Sequence, residues 1–175
     1  TGVEQNILGN EVKDHFIGQA DFVDNGICAN LGTGHQQFSS YCWSDSQHSA
    51  DPFGHGTHVA NIILMRNVDA NSGQDMGIAP GAKVISIRVL DETGVGRYSD
   101  VIEGIQYAVG QKATHNIRII NLSLVAESTA PYFIDPVSRS VTKAWANGIV
   151  VVVAAGNKGP KAQTVSTPGN NPYAI

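Results

Sequence analysis

Ile149-Val-Val-Val-Val-Ala-Ala155 is the stretch that decides the fold: β-branched and small residues with no polar position on either side of the alternation. A half-exposed strand alternates apolar with polar residues, whereas a strand that is apolar throughout suits a parallel sheet covered on both sides. Just upstream, Asp135–Asn147 (DPVSRSVTKAWAN) has a helix-start residue in Asp135, proline at the first helical position and Gly148 as a C-terminal stop. Further upstream, Ile117–Leu124 (IRIINLSL) reads as a second strand. Tyr98–Lys112 (YSDVIEGIQYAVGQK) reads as an amphipathic helix, with Val101, Ile105 and Ala108 at helical spacing and Ser99 or Asp100 as its N-cap. Lys83–Leu90 (KVISIRVL) is a third strand, rich in β-branched residues. Strand–helix–strand–helix–strand predicts an α/β fold: a parallel sheet, these strands neighbours in it, with right-handed crossovers and helices on both faces. Reactive groups in such a sheet gather at the carboxyl ends of the strands. That selects the loop Asp91–Arg97, the segment Asn121–Ser128 and the loop Gly156–Lys161. The first 50 residues are polar and loop-rich and show no clear period.

A chain of 175 residues is long enough for one domain with a sizeable core. Only 15% of residues are charged and the net charge is −4, so nothing in the composition points to disorder, nucleic acid or an anionic membrane. No apolar run reaches the length of a membrane span. Cys28 and Cys42 lie in a loop-like region, where a disulfide and a pair of reduced thiols both fit. Thr1 is not an initiator Met, so the chain is expected to be processed or cut.

Asp51–Met65 (DPFGHGTHVANIILM) sets His55 between Gly54 and Gly56, ahead of an apolar run. The glycines let the backbone turn tightly and leave the imidazole uncrowded. The run Val59, Ile62, Ile63 and Met65 predicts a buried helix. A histidine on the first turn of such a helix is rigidly held, which suits a general base. A plain surface histidine in a turn is the competing reading. A metal would need His58 and a third ligand, and the metalloprotease spacing with its glutamate is absent. Ala154–Gly159 (AAGNKG) presents Asn157 on a small turn after the buried strand, where its amide could either hold the turn or donate to a developing oxyanion. Gly94–Ser99 (GVGRYS) nearly copies a dinucleotide fingerprint, but the next strand ends Asn121-Leu-Ser-Leu124 without the acid that motif requires.

Taken in order, these stretches resemble the subtilisin-like serine proteases. GHGTHVA (Gly54–Ala60) resembles the family's histidine motif, and GIAPGAKVISIRVL (Gly77–Leu90) the segment after it. GVGRYSDVIEGIQYAV resembles the substrate-flanking loop and its helix, IINLSL (Ile119–Leu124) the strand leading to the specificity pocket, and VVVAAGN (Val151–Asn157) the oxyanion-asparagine motif. The resemblance implies a secreted serine endopeptidase, extracellular or periplasmic, acting on polypeptides through an Asp/His/Ser triad. His55 would be the general base and Asn157 the oxyanion donor. Gly94, Val95 and Gly96, with Leu122, Ser123 and Leu124, would bind an extended substrate. No cofactor is required by that chemistry, and calcium is not readable from the sequence.

The Gly-Thr-Ser-Met-Ala type of nucleophile motif does not occur, and the opening TGVEQN continues an acidic motif whose Asp would stand just before Thr1. Asp24, in FVDNGIC, is the rival acid; the charged Asp21 ahead of it departs from the family's apolar strand. Residues 1–175 are therefore expected to be a partial peptidase domain, incomplete at both ends and inactive alone, with self-association through exposed sheet edges as a further expectation. The alternative is a non-catalytic binding or scaffold relative. Val125 and Ala126 stand where the family usually has Gly-Gly, and Asn61 where Gly is usual.

Overall fold

The computed structural model describes residues 1–4, 14–23, 35–38, 40–45, 49–65 and 77–175. They fall into two compact units, Thr1–Asp100 and Val101–Ile175.

The first unit is built on four strands: β1 (Phe16–Asp21), β2 (His35–Gln37), β3 (Cys42–Asp45) and β4 (Val84–Arg88). Their order is β2-β3-β1-β4, with β1 antiparallel to β3 and parallel to β4. The expectation of a loop-rich first 50 residues is thus corrected. Sequence reading missed β1 because FIGQAD has no apolar alternation: Gln19 is 2% exposed, and it hydrogen-bonds Ser86 across the ladder at 2.9 Å. Asp21 ends the strand in an ion pair with Arg88 at 2.7 Å, opposite it in register. Strand β4, read correctly as a strand, therefore has β1 as its parallel neighbour in this sheet. Helix α1 (His55–Leu64) buries Thr57, Ala60 and Leu64, and a core of Val3, Phe16, Ala60 and Leu64 forms beneath it. Only one stripe of α1 is buried. Ile62 is 51% exposed, so the apolar run marks an amphipathic helix and not a fully enclosed one.

In the second stretch of chain, α2 (Tyr98–Gly110) buries Val101, Ile105 and Ala108 at the expected spacing. Ser99 and Asp100 lie inside its first turn, past the N-cap position, and the Ser99 hydroxyl donates to the Asp100 carboxylate. A short helix α3 (Lys112–His115) follows. Strands β5 (Ile119–Leu122) and β6 (Val150–Val153) are parallel partners, with Ile119 opposite Val150 and Leu122 opposite Val153. Between them runs α4 (Pro136–Ala146), whose N-cap Asp135 accepts from Ser138 N at 2.7 Å. Gly148 takes the positive φ of 72° that ends such a helix without strain. Ile149, Val151 and Leu122 are buried, while Ile119 and Val150 stay exposed.

Candidate active site

His55 is the first residue of α1 and is exposed. The N-cap, Gly54, sits at φ 85° and ψ −14°, a left-handed conformation that an L side chain would strain. With no side chain, Gly54 cannot cap the helix. Asp51 does so from upstream: its Oδ2 accepts from Thr57 N and Thr57 Oγ1, both at 2.8 Å. Gly56 answers a different need. A Cβ there would lie 2.0 Å from the carbonyl oxygen of Gly2 and 2.9 Å from Thr1 Oγ1. The Thr1–Glu4 strip thus crosses directly over the residue after His55, and Glu4 N donates to Thr57 Oγ1 at 2.9 Å. His58, one turn on, is also exposed. Among the described residues no three His, Cys, Asp or Glu side chains converge as a metal-binding group would.

Phe53, two residues before His55, packs against the loop Asp91–Arg97. Gly94, at φ 79°, brings its backbone against the Phe53 ring, which an added Cβ would meet at 2.8 Å. The loop is wound around Asp91, whose Oδ1 accepts from Thr93 N, Thr93 Oγ1 and Val95 N at 2.7–3.0 Å. These bonds, the Thr93 hydroxyl foremost, hold the Asp91 carboxyl below its usual range. Gly96 packs so closely on Val89 that a Cβ would stand 2.2 Å from its carbonyl oxygen. Gly94, Val95 and Gly96 form a fixed strip, with Val95 64% exposed. A cleft of about 200 Å³ beside it is lined by Val23, Val89, Asp91, Val95, Arg97 and Asp100 among others.

The second unit gathers the remaining candidates at the carboxyl ends of β5 and β6. Leu122 is buried and its carbonyl accepts from Ala154 N at 3.2 Å. Ser123 Oγ accepts from Asn121 Nδ2 at 2.9 Å, and Leu124 is half-buried. After Leu124 the chain is anchored by Ala126, which exchanges main-chain hydrogen bonds with buried Thr167 at 2.8 and 3.0 Å. Asn157 is exposed on the turn that follows β6. Gly156 precedes it at φ 127°, where a Cβ would meet Ser166 Oγ at 2.7 Å. Ser166 N in turn donates to Ala155 O at 2.8 Å. Next to Asn157, Lys158 pairs with Glu127 on the surface, and this contact lowers the Glu127 carboxyl from its usual value.

Within the first unit Gly94 packs on Phe53, two residues before His55 in the chain; within the second, Leu122–Leu124 and the Asn157 turn share a ladder end. Asp24 and Cys28 lie outside the described residues. Cys42 is disulfide-bonded. Sequence reasoning passed over Asp51, Thr57 and Gln19. Asp51 and Thr57 had a local signal, a carboxylate just ahead of a helix that starts after a glycine and a threonine at its third position. Gln19 had none.

Comparison with known proteins gives one consistent result. Residues 23–175 match the model of the subtilase family, Peptidase_S8. Serine protease AprX of Bacillus subtilis (strain 168) is 39% identical over 124 residues, covering 68% of this chain and 28% of that protein. Subtilisin E of the same strain is 37% identical over 139 residues, covering 78% and 34%. Among solved structures, sphericase superposes with a TM-score of 0.74 at 27% identity, over 100% of this chain and 49% of that one. The chain spans about a third of the length of the curated relatives it matches.

Proposed function

The chain belongs to the subtilase family, a family of serine proteases with the α/β fold seen here, and on that premise we propose that the complete protein is a secreted serine endopeptidase working outside the cytoplasm. His55 is the general base. It takes the proton of a serine hydroxyl as that oxygen attacks the peptide carbonyl, then gives it to the departing amine. Asn157 donates its side-chain amide to the oxyanion that forms. The acid that fixes the imidazole tautomer is the residue preceding Thr1, in preference to Asp24. The observation that carries this reading is the passage of Thr1 and Gly2 over Gly56: it supports a residue just before Thr1 lying close to His55. The nucleophile is a serine beyond these 175 residues. Gly94–Gly96 and Leu122–Leu124 hold the substrate in extended form through main-chain hydrogen bonds. The acyl transfer runs on side chains and needs no cofactor.

Val125 and Ala126 add side chains beside the specificity pocket, so cleavage after Phe or Tyr is disfavoured on the order of 1–3 kcal/mol. A peptide-library profile dominated by those residues would overturn this. The 175 residues alone hydrolyse no peptide bond at an enzyme-like rate, having no serine motif, and they pair with a second copy through exposed sheet edges.

The test is a fluorogenic peptide assay on the complete protein beside its His55→Ala variant. Turnover should fall about 10⁶-fold, a magnitude known for the triad histidine of subtilisin itself and carried over from it. Equal rates in the two proteins, or none in either, would leave a non-catalytic binding module as the function.

A further inference from the structure

His55 stands between hydrogen bonds made to a single residue. Ahead of it, the Asp51 carbonyl accepts from Gly54 N at 3.2 Å. Behind it, the Asp51 carboxylate accepts from Thr57 N and Thr57 Oγ1. Asp51 is 5% exposed and Thr57 4%, so water does not compete for these bonds. The Thr57 hydroxyl passes the connection on by accepting from Glu4 N at 2.9 Å. The same strip is gripped from its other side by Gln19, which accepts from Val3 N at 2.8 Å and donates to Ala50 O at 3.1 Å. The Thr1–Glu4 strip and the turn Asp51–Thr57 therefore cannot slide past each other without breaking the part-buried bond between Glu4 and Thr57.

We infer that Asp51 and Thr57 are positioning residues for peptide hydrolysis: their hydrogen bonds to each other and to Glu4 set the distance between the His55 imidazole and the residue that precedes Thr1. The inference rests on the roles proposed above for those two groups. Simple helix capping does not account for the arrangement. In α4, Asp135 caps from the N-cap position itself with a bond to Ser138 N. In α1 the N-cap is a glycine, the carboxylate comes from further upstream, and the Thr57 hydroxyl also accepts from Glu4 N in the Thr1–Glu4 strip, a bond that capping does not require. Stability alone does not account for it either. Among the described residues, buried Asp51 Oδ1 has no hydrogen-bond partner, which costs free energy that a fully satisfied cap would not.

The experiment measures kcat and KM of the complete protein on a fluorogenic peptide. Thr57→Val keeps the shape and the main-chain N–H but removes the hydroxyl. It should lower kcat on the order of 10- to 100-fold, as small misplacements of a catalytic group do, with KM unchanged. Thr57→Ser, which keeps both hydroxyl bonds, should restore kcat. Asp135→Ala is the structural comparison: it removes an equally buried cap and should lower the melting temperature while leaving kcat alone. Should Thr57→Val not accumulate as folded protein, Asp51→Ala, which removes the acceptor of both Thr57 bonds, is read in its place, with the same loss of kcat expected. A wild-type kcat in these variants alongside a lowered melting temperature would make the clamp purely structural and overturn the inference. A wild-type protein without peptidase activity would instead sink the proposed function, and this inference with it.

Discussion

The turn that carries His55 and the turn that carries Asn157 both lean on glycine, yet they are held in opposite ways. The His55 turn is fixed by side chains. Asp51 and Thr57 make its decisive bonds, and none of the described residues lies within 4 Å of where a Gly54 Cβ would be. The Asn157 turn is fixed by main chain: Ala154 N to Leu122 O, Ser166 N to Ala155 O, and Gly156 pressed against Ser166 where no side chain fits. The difference teaches where each is vulnerable. One fails when a polar side chain is removed, the other when a side chain is added.

The largest expected effect that probes this contrast is chemical. Asn157→Ala in the complete protein should lower kcat about 10²- to 10³-fold with little change in KM, the magnitude known for the oxyanion asparagine of subtilisin and carried over from it. Because its turn is built from main chain, the variant should keep its melting temperature. A large fall would show that the Asn157 side chain also holds the turn and would break the comparison. Next come the glycines, read as urea midpoints. Gly156→Ala meets both a φ of 127° and Ser166, and should cost about 2–3 kcal/mol. Gly54→Ala meets only the strain of φ 85° and should cost about 1 kcal/mol. Equal costs would mean that crowding at Ser166 contributes nothing. The smallest effect is at Lys158 and Glu127, an exposed pair. Lys158→Met should let the Glu127 carboxyl, now lowered first by its hydrogen bond to Lys158, rise toward its ordinary range in an NMR titration. Since the folded-state value is the depressed one, whatever the pair contributes is present at neutral pH and is lost as pH falls through that value. The melting temperature should not change, as expected of surface ion pairs; a clear fall would add a side-chain support to the Asn157 turn.

The sequence by itself determined the strands at Val84–Arg88, Ile119–Leu122 and Val150–Val153, the helices after Arg97 and Asp135, and the motif order that marks the subtilase family. Each of these depends on signals within a few residues: an apolar period, a proline at a helix start, a glycine at its end, a histidine flanked by glycines. Only the tertiary structure decided that FIGQAD is a strand, because the partners that make its polar residues tolerable, Ser86 and Arg88, lie 67 residues away from Gln19 and Asp21. It likewise decided why residue 56 must be glycine, since the obstacle is the carbonyl of Gly2. It also decided that Thr57 ties the histidine turn to Glu4, across a separation of 53 residues. A buried hydrogen bond between distant residues leaves no period and no cap in either sequence neighbourhood, so its existence is settled only when folding brings donor and acceptor together and excludes water from between them.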